Sequence, residues 1–347
     1  MTATMRAARF NAEAKSLEVR EVPVPKIQPH EVLVKVQACG VCLSDVHLID
    51  GSLPGPLPEI TPGHEPAGVI ETVGDAVPVW QPGQRVLMAA GRPCLTCANC
   101  AGGRTDRCHS FEIMGFNYDG AWADYVVVPY AALTAVPDSV PIEQAAILAD
   151  AVSTPYAAIT DRANVQPGEA VGIWGVGGLG IHAVKVARMI GAAPIIALDP
   201  LPEARERALR AGADIAIDPR LEDAVAQVRA ATGGVGLDAA FDVVGAAPII
   251  AQAEQCLGGR GRLVMVGISW DPTSLGPGVF FSVQSQTLMG HLGYRKEHLD
   301  TLVRLVEMGR LDVSDSISAQ LPLDDIVDAV DQLATKRGNP IRLVIRP

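Results

Sequence analysis

Four cysteines within one short polar segment have the residue type and spacing to bind a metal ion. They are Cys94, Cys97, Cys100 and Cys108, in the pattern C-x2-C-x2-C-x7-C. Such spacing lets one loop surround a tetrahedral ion, and zinc takes four thiolates at about 2.3 Å. The loop lacks the apolar residues for a core of its own, so metal–thiolate bonds must hold it together. A closed four-thiolate site does no chemistry, and the sequence therefore predicts a structural zinc here and an active site elsewhere.

Two other interpretations of these cysteines fit the sequence less well. Paired disulfides are typical of secreted proteins, and the first ten residues lack the apolar stretch of a secretory signal. Iron–sulfur clusters also take four thiolates, but the bacterial ligand run that ends in C-x3-C-P is absent. We therefore expect zinc, in a protein of the reducing cytoplasm.

A glycine-rich turn later in the chain could hold a dinucleotide. The turn Gly175-Val-Gly-Gly-Leu-Gly180 follows the apolar run 170–174 and begins a helical pattern. Its first glycine would form the tight bend, its second would let the backbone approach a pyrophosphate, and its third would pack helix against strand. A second apolar run, 195–198, ends in Asp199, whose carboxylate could accept both hydroxyls of an adenosine ribose and would repel a 2′-phosphate. The pattern predicts NAD rather than NADP.

Length and composition are typical of an α/β protein with two domains and indicate a small-molecule partner. The chain has 347 residues, of which 48% are hydrophobic and only 4% aromatic, as is usual for α/β proteins rich in Ala, Val and Gly. Its formal net charge of −11 argues against nucleic acid or an anionic membrane as a partner. No apolar stretch is long enough for a membrane span.

The elements that must position these residues fall into two kinds. Residues 1–150 are rich in proline and contain short strand-like runs separated by turn signals, which predicts an irregular, mostly antiparallel β domain. These runs are Glu31–Val36, Ala67–Val73, Arg85–Ala89 and Ala123–Val128. Residues 151–290 alternate strand-like and helix-like patterns, which predicts a doubly wound parallel sheet of the Rossmann type.

The predicted elements of the second domain can be given by range. The strands are 170–174, 195–198, 215–217, 239–244, 263–268 and 287–289, and the helices are 179–190, 203–211, 221–232 and 248–257. Residues 291–347 add helix-like stretches at 297–308 and 323–333 and a strand at 341–345. Because that strand comes too late for the simple order of the sheet, we expect this segment to return to the first domain.

The first domain also contains scattered candidate metal ligands. Cys42 lies in Cys39-Gly-Val-Cys-Leu-Ser-Asp-Val-His47, and His64 lies in Pro62-Gly-His-Glu65. Either alone is ambiguous, because a lone buried Cys or His is more often a packing residue. Together with the four-cysteine loop and the later Rossmann turn, they resemble the zinc-dependent medium-chain alcohol dehydrogenases over essentially the whole chain. The resemblance implies that residues 1–150 form a GroES-like catalytic zinc domain.

The resemblance also implies the roles of the metal-binding residues. Cys42, His64 and Asp150 match three ligands of a catalytic zinc, whose open fourth position takes the alcohol oxygen and polarises it. An aspartate as third ligand is similar to the bacterial secondary-alcohol dehydrogenases rather than the animal and yeast type. Glu65 matches a carboxylate that can move onto the metal during ligand exchange. Asp45 matches the carboxylate that orients the zinc-bound histidine.

Further matches concern the proton and the cofactor. Ser44 and His47 match the two stations through which the proton of the alcohol leaves. The residues that match the cofactor site are Gly175, Gly177, Gly178, Leu179, Gly180, Asp199, Val266 and Arg342. Two positions depart from the family pattern. Leu43 stands where many members have Arg or His against the pyrophosphate, and Cys39 is not a ligand position, so we expect it to be buried.

These expectations describe an NAD-dependent alcohol dehydrogenase with two zinc ions per subunit, assembled as a homotetramer or a dimer. Ethanol-preferring members of the family often carry a bulky aromatic residue shortly before the first loop cysteine, where this chain has Met88-Ala-Ala-Gly91. These small side chains predict a wide pocket that takes medium or bulky primary or secondary alcohols. Two alternatives remain: a zinc-free quinone reductase of the same superfamily, and a catalytically silent NAD-binding protein. The intact ligand and relay residues argue against both.

Overall fold

A computed structural model describes residues 3–347 of the chain. Its contacts divide the chain into two compact units. The first unit holds the residues up to Ala151 together with Arg295–Pro347, and the second holds Val152–Tyr294. None of the helices within residues 3–347 combines the length and the apolar composition that a membrane span needs.

The elements are numbered here along the chain. The strands are β1 (Thr4–Asn11), β2 (Ser16–Pro23), β3 (Glu31–Val41), β4 (Glu59–Ile60), β5 (Glu65–Val73), β6 (Arg85–Met88), β7 (Gly91–Arg92), β8 (Glu112–Ile113), β9 (Tyr125–Pro129), β10 (Leu133–Ala135), β11 (Val171–Trp174), β12 (Ile195–Leu198), β13 (Ile215–Ile217), β14 (Leu237–Asp242), β15 (Leu257–Met265), β16 (Thr287–Gly290), β17 (Ile317–Pro322) and β18 (Arg342–Arg346). The α-helices are α1 (Leu43–Asp50), α2 (Ala98–Ala101), α3 (Ile142–Ile147), α4 (Ser153–Ala157), α5 (Gly180–Ile190), α6 (Pro202–Ala211), α7 (Ala224–Ala231), α8 (Ala247–Cys256), α9 (Gly278–Val283), α10 (Lys296–Glu307) and α11 (Ile326–Ala334). Short 3-10 turns occupy Thr105–Arg107, Tyr130–Ala132, Ser314–Ser316 and Leu323–Asp325, and π-helical turns occupy Leu148–Val152 and Ala158–Arg162.

The first unit is organised around β3. The sheet order is β10-β6-β5-β3-β18-β17, and β9 also pairs with β3. β3 pairs antiparallel with β5, β9 and β18, while β17 and β18 are parallel. β-Branched residues such as Val32, Val34 and Val36 fill the core beneath it, because such side chains pack well on a pleated surface. The prediction of a mostly antiparallel β domain is confirmed.

The second unit is a six-stranded parallel sheet. The strand order is β13-β12-β11-β14-β15-β16, and every neighbouring pair is parallel. β11 and β12 are buried at every position, as expected for central strands covered on both faces. The chain runs from β11 outward to β13 and then returns to β14 on the other side of β11, so the order reverses between β11 and β14. This confirms the predicted doubly wound sheet and places its topological switch point beside the glycine-rich turn.

Candidate metal centres and dinucleotide site

The pairing of β3 with β5 brings the first two candidate ligands together. β3 ends one residue before Cys42, and β5 begins one residue after His64. Because the strands are antiparallel, with Gly40 opposite Glu65, the end of one lies beside the start of the other. The third candidate, Asp150, lies on another element. The helix α3 packs against β3 and β5, and the π-helical turn that follows α3 carries Asp150.

The donor atoms of this cluster lie at distances that suit one metal ion. The Cys42 Sγ lies 3.5 Å from the Asp150 Oδ2, and the His64 Nε2 lies 3.7 Å from the same oxygen. A tetrahedral zinc with bonds of about 2.0–2.3 Å separates its ligand atoms by roughly 3.3–3.8 Å. Glu65 belongs to the same cluster, because one donor atom from each of the four residues lies within 4.8 Å of the others. The donor set therefore fits zinc.

Asp45 fixes the orientation of the candidate histidine ligand. Its Oδ1 lies 3.1 Å from the His64 Nδ1, and its Oδ2 accepts the N–H of Cys42 at 2.9 Å. Asp45 is fully buried, so its charge acts strongly at short range. Burial alone would lower the pKa of His64, but the neighbouring Asp45 and Asp150 carboxylates outweigh it and raise that pKa. With Nδ1 bound to Asp45, the nitrogen that faces the cluster is Nε2.

Glu65 and Arg342 form a buried pair at the edge of the cluster. The Arg342 Nη2 lies 3.4 Å from the Glu65 Oε1, and neither side chain is more than 2% exposed. Within residues 3–347, neither carboxylate oxygen of Glu65 has a hydrogen-bond partner, which suits a group that shares its site with a cation. Burial raises the pKa of Glu65 to about 8, against the opposing charge of Arg342. A Cβ at Gly40 would lie 1.9 Å from the Glu65 Oε2, so any larger residue there would displace the Glu65 carboxylate.

The remaining predicted residues of the first unit lie on α1 or beside it. The Ser44 Oγ lies 3.3 Å from the His64 Nε2. The His47 Nδ1 lies 2.9 Å from the Ser52 Oγ and 3.7 Å from an Asp50 carboxylate oxygen. No hydrogen bond between Ser44 and His47 occurs within residues 3–347, although both lie on one face of α1. Their roles in proton transfer stay a prediction, as does a pyrophosphate contact by Arg342, whose Nη1 donates to the Val41 carbonyl at 3.0 Å.

The four-cysteine loop brings its thiols to one point. Their Sγ atoms all lie within 4.8 Å of one another, and no disulfide joins them. The Sγ of Cys94 accepts the N–H of Cys97, and the Sγ of Cys108 accepts the N–H of Cys94. Hydrogen bonds from Thr96 lower the pKa of Cys94 to about 6, whereas desolvation raises that of Cys100 to about 12. Four convergent thiols on a loop without a core fit a structural zinc.

The glycine-rich turn has the geometry that a pyrophosphate needs. Gly175 adopts a φ of +84°, and a Cβ at Gly180 would lie 1.8 Å from the Gly175 carbonyl oxygen. Both positions therefore require glycine. At Gly177 a Cβ would meet nothing within 4 Å, so its backbone faces open space. Leu179 caps α5 and Gly180 begins it, so the positive end of the helix dipole lies at the turn itself.

Asp199 and Val266 follow two strands of the same sheet, β12 and β15, which are separated by β11 and β14. The carboxylate of Asp199 accepts the N–H of Val176 through Oδ2 and the N–H of Leu201 through Oδ1, each at 2.9 Å. It thus ties the glycine-rich turn to the turn after β12. Val266 follows β15 and donates its N–H to the Asp242 carbonyl at 2.8 Å. The roles of Asp199 and Val266 toward NAD stay a prediction. The open space beside the Gly177 backbone leaves room for a dinucleotide.

Two residues of interest lay outside the sequence-based prediction. The ring centroid of Phe116 lies 5.7 Å from that of His64, so an aromatic wall borders the metal cluster. Asp242 is fully buried and accepts the N–H groups of Val244 and Gly245, and burial raises its pKa. An aspartate at the end of an apolar strand was a usable signal for Asp242. No local pattern could have placed Phe116 beside His64, because the loop that carries it has no periodicity.

Comparisons with known proteins agree with this fold and these sites. Residues 28–138 match the family model of the alcohol dehydrogenase GroES-like domain, and residues 178–308 match that of zinc-binding dehydrogenases. An alcohol dehydrogenase of Cupriavidus necator is 32% identical over 100% of both chains. An NAD-dependent alcohol dehydrogenase of Sulfurisphaera tokodaii is 33% identical over 95% of this chain and 96% of its own. The solved alcohol dehydrogenase of Thermus sp. ATN1 superimposes with a TM-score of 0.92, at 30% identity and 99% coverage of both chains.

A GroES-like sheet with a Cys/His/Asp cluster, a separate four-thiolate loop and a Rossmann unit define a class, the zinc-dependent dehydrogenases. Within that class, the full-length similarity is decisive. The chain belongs to the zinc-type medium-chain alcohol dehydrogenase family.

Proposed function

We propose that this chain is an NAD-dependent alcohol dehydrogenase that transfers a hydride between NAD(H) and an alcohol–carbonyl pair. The observation that carries the proposal is the convergence of Cys42, His64 and Asp150 into one donor set, separate from the four-thiolate loop. A zinc ion with four thiolate ligands has a structural role, whereas one with three protein ligands has an open fourth coordination position for the substrate. The activity named for the relatives supports the same reaction.

The residues of the first unit suit this reaction. A zinc ion held by Cys42, His64 and Asp150 would supply a Lewis acid for the substrate oxygen. The hydroxyl of Ser44, 3.3 Å from the His64 Nε2, is near enough to accept the proton that an alcohol loses. His47 lies one turn further along α1 and is about a third exposed, so it can exchange that proton with water.

The second unit suits NAD. The backbone at Gly177 would admit the pyrophosphate at the start of α5, and Asp199 would accept the hydroxyls of the adenosine ribose. The carboxylate would also repel a 2′-phosphate. We assign zinc chemistry to residues 1–150 with the segment 291–347, and cofactor binding to residues 151–290.

We infer that the substrates are medium or bulky primary or secondary alcohols and the matching carbonyl compounds. Ala89 and Ala90 are small and buried, so they take little space from the pocket. The ring of Phe116 beside His64 offers an apolar surface for an alkyl or aryl group. Each methylene buried there contributes about 0.8 kcal/mol, which favours larger alcohols over ethanol.

We further propose that the protein acts in the cytoplasm as a homotetramer or a dimer. Seven free cysteines suit a reducing compartment. β16 is an edge strand, and unpaired strand edges are ready templates for a second chain. Near it in sequence, Phe280 and Val283 are 63% and 75% exposed.

The test combines activity with metal content. The unmodified protein should contain two zinc ions per chain and oxidise alcohols with NAD, faster with cyclohexanol and 1-phenylethanol than with ethanol. Cys42→Ala should abolish the activity and remove about one zinc while the protein stays folded. Cys39→Ala is the matched control, because Cys39 is buried on β3, three residues before Cys42, and belongs to neither metal cluster. One zinc ion per unmodified chain, or full activity of Cys42→Ala, would refute the proposal.

A further inference from the structure

The four-cysteine loop leaves and rejoins the first unit through a narrow neck. The neck is the short ribbon of β7 and β8, which pairs Gly91 with Ile113 and Arg92 with Glu112. Arg92 donates from Nε to the Glu112 carboxylate at 2.6 Å. Two-stranded ribbons are at best marginally stable on their own, so the neck depends on the groups at its two ends. At one end are the convergent thiols, with Cys94 two residues beyond Arg92.

At the other end of the neck, Arg92 stacks on Tyr118. The centre of its guanidinium group lies 3.9 Å from the centroid of the Tyr118 ring, a cation–π contact that suits a planar cation. The Tyr118 hydroxyl donates to the Ala90 carbonyl at 3.2 Å, and the N–H of Met114 donates to the same oxygen at 2.9 Å. Burial raises the pKa of Tyr118 against the opposing charge of Arg92, so the hydroxyl keeps the proton that it donates. Tyr118 therefore ties the segment before the neck to the turn after it.

The turn after the neck carries the aromatic wall of the metal cluster. The N–H of Gly115 donates to the Tyr118 carbonyl at 2.8 Å, which closes the turn. Gly115 adopts a φ of +77°, and a Cβ there would lie 2.9 Å from the nitrogen of Gly63, the residue before His64. The Phe116 ring lies between Gly115 and Tyr118 in the chain and 5.7 Å from the ring of His64. The position of this wall thus depends on Tyr118.

We propose that Arg92 and Tyr118 are positioning residues that couple the four-cysteine loop to the Phe116 wall, so that a zinc-loaded loop favours the binding of bulky substrates. The proposal rests on the proposed function, because it takes the substrate to bind beside His64. An alkyl or aryl group can bury surface against the Phe116 ring, whereas ethanol has little surface to bury. A loop without metal would leave the neck unsupported at one end, and the guanidinium plane that holds Tyr118 would lose its fixed direction.

The first experiment measures binding as well as turnover. Cyclohexanecarboxamide, a carbonyl compound that is not reduced, is titrated calorimetrically into the zinc-loaded, full-length protein in the presence of NADH. Tyr118→Phe keeps the ring and loses the hydroxyl, and it should weaken binding by about two- to tenfold, the range for one lost hydrogen bond. The effect should fall on the KM for cyclohexanol rather than on kcat, and the KM for ethanol should not share it. Tyr125→Phe is the matched control, since Tyr125 is a half-buried tyrosine on β9 of the same unit, and it should leave the affinity for the amide unchanged.

Phe116→Ala tests whether Tyr118 acts through the aromatic wall. In a Phe116→Ala background, Tyr118→Phe should have no further effect on the affinity for the amide, because no ring is left to position. An equal effect of Tyr118→Phe in both backgrounds would overturn the proposal, since Tyr118 would then act on the pocket without Phe116.

Two further variants test the coupling to the loop. Glu112→Gln removes the charge at the neck without touching a thiol, and Cys100→Ala removes the loop zinc, which metal analysis checks. Each should weaken binding of the amide, and adding Tyr118→Phe to either should weaken it by less than Tyr118→Phe does alone. Fully additive effects of Glu112→Gln and Tyr118→Phe would refute the coupling, and that result does not require Cys100→Ala to fold.

The results separate the coupling from the function on which it rests. If the unmodified protein neither oxidises an alcohol with NAD nor binds the amide, the proposed function fails. If it does both but Tyr118→Phe behaves like Tyr125→Phe, the function stands and the role of Tyr118 is refuted.

Discussion

Ser44 lies beside the nitrogen of His64 that faces the metal cluster, at 3.3 Å. If it accepts the alcohol proton, Ser44→Ala should lower kcat for alcohol oxidation by about a hundredfold or more, the range of a lost acid–base group. Ser44→Thr keeps the hydroxyl and serves as the control. Zinc content and melting temperature should be unchanged in both variants. Equal kcat values for Ser44→Ala and the unmodified protein would remove Ser44 from the proton path.

His47 sits further along that path, and its variant should behave differently. It is partly exposed, so water or buffer bases can take over its role, and His47→Gln should be partly rescued by added buffer. The two variants should thus differ in their response to added buffer, because of these two residues only Ser44 contacts a residue of the metal cluster.

At the residue scale, the structure brings together the candidate ligands that stand in short motifs. Cys42 and His64 were recognisable because their neighbours repeat a family pattern, and the four loop cysteines because their spacing is local. Asp150 lies 108 residues from Cys42, and only the resemblance suggested it.

At the element scale, the four-cysteine loop gives a prediction about stability. Cys100→Ala should remove the loop zinc and lower the melting temperature by roughly 5–10 °C, because metal–thiolate bonds replace a core there. Cys256→Ala is the control, a buried cysteine outside both metal clusters.

The pH dependence of this effect has a definite sign. Bound zinc keeps the thiols deprotonated, so their folded-state pKa values are depressed and the stabilisation is lost as pH falls. Melting temperatures measured from pH 8 downward should therefore converge for Cys100→Ala and the unmodified protein. A constant difference down to acidic pH would show that the cysteine acts by packing.

The bounds of strands and helices were easier to predict where the element is buried. β12 and β13 have the predicted bounds because buried parallel strands are short apolar runs between turns. The hairpin of β1 and β2 was missed, because two arginines interrupt the apolar residues of β1 and no residue of β2 is buried. α9 was missed too, since Gly278–Val283 is apolar without a helical period.

At the scale of the whole molecule, exposed apolar side chains point to assembly. Val279, Phe280 and Val283 on α9 are each more than 60% exposed, although such side chains usually pack. If this surface joins subunits, Phe280→Asp should lower the mass measured by light scattering. Val235→Asp is the control, as Val235 is 73% exposed in a turn of the same unit. An unchanged mass for Phe280→Asp would place the interface elsewhere.

The position of β18 has a consequence for the order in which the protein can mature. β18 pairs with β3 directly behind Cys42, yet more than 250 residues separate the two strands in the chain. Until residues 342–346 emerge during synthesis, the Cys39–Val41 end of β3 keeps one open edge and Glu65 has no Arg342 beside it. The carboxylate that borders the metal site would then be buried without its counter-charge. We therefore expect metal capture at Cys42 and His64 to be a late event in biogenesis, which a fragment limited to residues 28–138 does not reproduce.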